Sequence, residues 1–175
     1  MTSDIEARVR AFEFELGMTI DRGRACARQL REVEDDDLRF LLAERLPFLG
    51  SAIIPVLNEI LADPGSGRGT RYLAAWVAVE VGDRADSIFV LCEQVEAATE
   101  WSLPAAGVLA RHQITEGVVP VQKALGRVDP KDDIAVMGYL TALRDLQGTL
   151  AEPVRQRLIA EAHPWVVRVV EDDFP

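Results

Sequence analysis

Apolar residues along this chain return every three or four positions and never alternate for long, as expected of helices that each bury one face. Leu38, Leu41, Leu42, Leu46 and Leu49 form one such stripe, and Ile20, Ala27, Leu30 and Val33 another. Glycine and proline divide the pattern. It predicts a helix over about 3–16, capped by Ser3 with Glu6 completing a capping box and Gly17 stopping it. A second helix follows over about 19–33, with Arg24, Arg28 and Arg31 on a face away from the core. Then come four pairs: 36–49 with 51–62, 70–81 with 84–98, 101–112 with 115–126, and 132–147 with 150–162. Pro104 and Gly107 predict an irregular start for the 101–112 helix. A short last helix over about 164–171 sets Trp165, Val166 and Val169 over the end of the core.

The prolines keep a beat. Ile53-Ile54-Pro55-Val56 returns as Val118-Val119-Pro120-Val121 after 65 positions, and Pro153-Val154 follows Pro120 by 33. Each opens a helix that closes before Pro64, Pro130 and Pro164, after 9, 10 and 11 residues, which is about three turns. Gly50 and Gly82 lie 32 apart, and Gly148 follows 66 later. A fixed period near 33 residues indicates stacked helix pairs, an architecture that presents surfaces more than it performs chemistry.

Composition and charge narrow the classes. The length of 175 residues suits one domain, with 1–35 as an N-terminal helical cap, 36–163 as the pairs and 164–175 as a C-terminal cap and tail. No run of 18 uninterrupted apolar residues occurs, so no membrane contact is expected. The start lacks the basic and apolar regions of a secretory leader, and Cys26 and Cys92 are isolated; both point to the cytoplasm. Residues 1–33 are neutral, with six acids and six bases. The remaining residues carry 23 acids against 13 bases, and thus the whole net charge of −10. Such a surface repels phosphate backbones, so no nucleic acid is expected, and it favours a basic protein partner. The run Glu34-Asp35-Asp36-Asp37 stands directly before an apolar stripe and reads as a helix cap.

The words Arg71-Tyr72-Leu73-Ala74-Ala75-Trp76-Val77-Ala78-Val79-Glu80-Val81-Gly82-Asp83, followed by Ala85, Ile88 and Leu91, resemble the HEAT-like or armadillo-like α-helical repeat family. The resemblance covers about residues 36–163 and implies a short right-handed α-solenoid of about four HEAT-like helix pairs. It further implies that second helices line a concave binding side. The unit at 100–126 departs from the pattern, having no glycine at 114 or 115.

Candidate chemistry is thin. His112 and Glu116 stand four apart, but His163 is the only other histidine, too few ligands for a metal site. Gly65-Ser66-Gly67-Arg68-Gly69-Thr70 lacks the lysine and preceding strand of a phosphate loop and reads as a hinge. The two cysteines lie in apolar helical patterns without a nearby histidine, as buried thiols do. No catalytic residue, cofactor or metal is expected. The expected function is a non-enzymatic protein–protein interaction module, an adaptor or scaffold. An immunity protein or antitoxin masking a basic toxin is one alternative; a HEAT-repeat enzyme such as a DNA glycosylase or bilin lyase is another. Partner contacts are expected from the face Tyr72, Trp76 and Glu80, from the acidic stripe Glu93, Glu96 and Glu100, and from Trp101.

Overall fold

A computed structural model describes residues 20–83 and 85–174, so the expected helix over 3–16, with its Ser3–Glu6 box and Gly17 stop, lies outside the described residues. The fold is all-α, with no strand among the described residues. It divides into two compact units, Met1–Arg84 and Ala85–Pro175.

In the first unit, α1 (20–32) precedes α2 (Asp36–Arg45), a 3-10 segment (Leu46–Ile53), α3 (Ile54–Ala62) and α4 (Arg68–Glu80). The acidic run is a cap, as its position predicted: the Asp35 carboxylate accepts the Leu38 amide at 3.0 Å, and Asp36 and Asp37 occupy the first turn of α2. Gly50, at φ 63 and ψ −157, then breaks the helical path. Asp36–Ala62 spans 27 residues and includes an 18-residue stretch of mean hydropathy 1.6, long and apolar enough to cross a membrane by those measures alone, but Gly50 divides it. The α2 stripe is not wholly core. Leu46 and Ala43 are buried, whereas Leu38 and Leu41 are exposed.

Arginines tie neighbouring elements by capping backbone carbonyls. Arg24 donates from Nε to the Ala52 carbonyl at 3.2 Å, and Arg31 from Nη2 to the Glu59 carbonyl at 2.8 Å, which joins α1 to α3 and the segment before it. Arg39 donates to the carbonyls of Val33 and Glu34 and to the Thr70 hydroxyl, closing the α1–α2 turn onto α4. These three arginines thus act as ties within the fold.

The second unit contains α5 (Ala85–Glu96), α6 (Ser102–Arg111), a 3-10 turn (Thr115–Gly117), α7 (Val118–Arg127), α8 (Asp133–Asp145), α9 (Glu152–Glu161) and α10 (Pro164–Asp173). Each opening proline does what its position requires. Pro55, Pro120 and Pro153 all lie in the first turn of their helices, where an amide hydrogen would have no intrahelical acceptor. The same reason corrects the reading of Pro104: it is the third residue of α6, which is regular from Ser102 onward. Within this unit α5 packs on α6 and α7, α6 on α8, and α8 on α7 and α10. Helices two apart in the chain are therefore neighbours. Arg157 of α9 extends this by donating to the Leu125 and Val128 carbonyls at the end of α7, at 2.9 and 3.2 Å.

The glycine beat has a structural basis, with one correction. Gly82, at φ 94, closes α4 by donating to Val79 O, while Asp83 reaches back to Ala78 O. Gln113 (φ 51) with Ile114 makes the same pair of bonds after α6, and Gln147 (φ 56) with Gly148 makes it after α8. The left-handed position thus recurs at 82, 113 and 147, occupied twice by glutamine. The unit at 100–126 has the expected turn without the expected glycine. Gly148 sits one residue beyond that position and serves packing, since a Cβ there would meet Val118 Cγ1 at 3.0 Å.

Candidate functional site

The aromatic pair expected to face a partner does not lie open. Tyr72 is 3% and Trp76 9% exposed. Trp76 lies 5.3 Å from the ring of Phe40 and 6.4 Å from that of Tyr72, and its indole Nε1 donates to Glu80 Oε1 at 3.0 Å. The physical reason is that α4 is buried nearly all the way round: the adjoining stripe Leu73 and Val77 and the small residues Ala74, Ala75 and Ala78 are buried as well. Tyr72 and Trp76 are core, and Glu80 satisfies the indole.

The acidic stripe is only partly one helix face. Glu93 is exposed and Glu96 half-buried on α5, but that helix ends at Glu96. Glu100 lies in the exposed turn that follows, and Trp101 is the half-buried residue before α6. What α5 gains instead is α7 beside it. Lys123 Nζ pairs with Glu96 Oε1 at 2.9 Å, and the Cys92 thiol lies 3.7 Å from the Glu116 carbonyl, so α5 and the start of α7 share one surface. Both members of the ion pair are well solvated, and it stabilises by at most about 1 kcal/mol. On this surface Phe89 is 70% and Val119 54% exposed. Sequence reading missed Phe89, although its signal was present: it lies three residues after Asp86 and four before Glu93, on the polar side of α5, away from the buried Val90, Leu91 and Val95.

The local field on this face is negative. Burial pushes the Cys92 thiol up to about 11, and the charges of Glu116 and then Glu96 add to the shift. Little thiolate therefore exists near neutrality, and Cys92 should react with iodoacetamide at pH 8 at least tenfold more slowly than an unperturbed thiol. Mass-spectrometric alkylation kinetics check this; an ordinary rate at Cys92 would refute it. Neither thiol is fully buried as expected: Cys92 is half-buried, and Cys26 is exposed on α1, one position off the Ala27–Leu30 stripe.

Other sequence candidates stay apart. His112 follows the end of α6 and Glu116 sits in a separate 3-10 turn, so one helix does not carry both. His163 precedes α10, with its ring 6.4 Å from that of Trp165. Among the described residues no group of three His, Cys, Asp or Glu converges as a metal site would need. In the glycine-rich loop the Asp63 carboxylate already accepts the Gly65 amide at 2.9 Å and the Ser66 hydroxyl at 3.4 Å, which places a negative charge where a phosphate would sit. With the geometry established, comparison with protein-family models, curated proteins and solved structures gives no match.

Proposed function

We infer that this chain is a non-enzymatic protein–protein interaction module, an adaptor or scaffold. In this reading it is a short right-handed α-solenoid of four HEAT-like helix pairs that binds a basic protein through the α5–α7 face. The observation that carries the binding surface is Phe89, a large apolar side chain 70% exposed on α5, the helix that also bears Glu93 and Glu96 and packs on α7 with its exposed Val119. An aromatic anchor supplies desolvated contact area at low entropic cost, and surrounding carboxylates attract and orient a cationic partner. The packing of helices two apart within the second unit supports the solenoid reading.

Site-specific photo-crosslinking tests the face. A photoreactive amino acid in place of Phe89 should capture a discrete protein from native lysate, in a yield that falls as salt is raised. The same group in place of Gln156, exposed on α9, should not. Equal capture at both positions, or none at position 89, would remove this face from consideration.

A further inference from the structure

A cleft of about 280 Å³ in the second unit lies between the end of α5, the end of α7 and the start of α8. Its inner wall is apolar, from Val95, Ala124 and Val128, with Tyr139 deep within it. Two opposite charges line it, Arg127 and Asp132, and they do not pair with each other. Each is tethered by the backbone. Arg127 donates from Nε to the Lys123 carbonyl at 3.2 Å, and its terminal nitrogens meet no acceptor among the described residues. Asp132 caps α8 by accepting the Ala135 amide on Oδ1 at 3.0 Å, and its Oδ2 meets no donor among the described residues. Solvated charges free to move would drift together or apart. Here the tethers hold one cation and one anion on the same apolar cleft, so a ligand need not order them.

We propose that this cleft binds a small zwitterion of the aliphatic amino-acid class, with its carboxylate on Arg127, its ammonium on Asp132 and its side chain against Val95 and Ala124. The guanidinium fork suits a carboxylate, and the open carboxylate oxygen suits an ammonium. Net charge favours a zwitterion over a plain anion, because residues 85–174 carry 14 acids against 8 bases. The volume is slightly below the range of drug-sized sites, about 300–1,000 Å³, so the occupant is small. Ala98, also lining the cleft, holds φ 53, a left-handed conformation uncommon for a non-glycine residue, and the turn it makes shapes that edge. The turn is secured by Ser102, which donates to the Gln94 carbonyl at 2.8 Å and accepts the Thr99 amide at 2.9 Å. Burial raises the Tyr139 pKa from its ordinary value, so its hydroxyl stays neutral beside the ligand.

Isothermal titration of the full chain with L-valine, L-leucine and L-isoleucine tests the site. At least one should bind saturably with a Kd of about 1 mM or tighter. N-acetyl-leucine, which keeps only the carboxylate, and leucinamide, which keeps only the ammonium, should each bind about tenfold more weakly than leucine. Arg127→Gln and Asp132→Asn should each weaken binding by about tenfold while the melting temperature holds, because asparagine caps a helix as aspartate does. The proposal falls if none of the three amino acids binds saturably up to about 10 mM. It falls equally if the blocked analogues bind as well as leucine, or if both folded variants keep wild-type affinity.

Discussion

Leu73→Asp is expected to unfold the first unit, and Trp76→Ala to destabilise it severely without acting on any partner surface. Leu73 is fully buried, and its neighbour one turn on, Val77, is equally so. An aspartate there would leave a carboxylate without water or a cation, at a cost of about 3 kcal/mol or more. A domain has roughly 5–15 kcal/mol in all, so the loss consumes much of it. Trp76→Ala removes an indole that packs on Phe40 and Tyr72 and frees Glu80 from its bond, and large-to-small changes at buried aromatics cost about 3–5 kcal/mol. Thermal unfolding followed by far-UV circular dichroism measures both. A Trp76→Ala protein that melts like the wild type would show that α4 presents the residue instead of burying it.

Much of the helical framework was legible because its signals are local. A proline in a first turn needs nothing from distant chain, so Pro55, Pro120 and Pro153 mark α3, α7 and α9 directly. The Asp35 cap is local in the same sense. Burial is not. A single helix cannot reveal how many neighbours it has: partner contacts are expected from the Tyr72–Trp76 face of α4, whereas that face and the adjoining Leu73–Val77 stripe are both covered. Its run of Leu73, Ala74, Ala75, Trp76, Val77, Ala78 and Val79 did hold the warning, since a helix apolar all round is a buried one. On α2 the reverse error occurred: a continuous leucine stripe was read as core, and Leu38 and Leu41 are exposed. The arginine clamps were illegible, because Arg31 and Arg157 find their carbonyls 28 to 32 residues away. The turn at Gln113 was hidden for another reason: glutamine occupies a conformation that sequence reading assigns to glycine.

With Trp76 buried, the proposed partner surface is the one on α5, and there Phe89→Ala should separate binding from folding. Phe89 is mostly solvated in the free protein, so removing its ring forfeits little packing and should change stability by no more than about 0.5 kcal/mol. If the ring is desolvated by a partner, the same truncation costs about 2 kcal/mol of binding, near thirtyfold in Kd. Glu116→Lys should act differently. It reverses a charge beside Cys92 without removing the anchor, so it should slow association and flatten the salt dependence. With the partner captured at position 89 in hand, surface plasmon resonance at two salt concentrations resolves these effects, and circular dichroism melting checks the fold. A thirtyfold loss with an unchanged melting temperature is the expected result. Wild-type affinity for Phe89→Ala would mean that the exposed ring is incidental and that the partner engages a different surface.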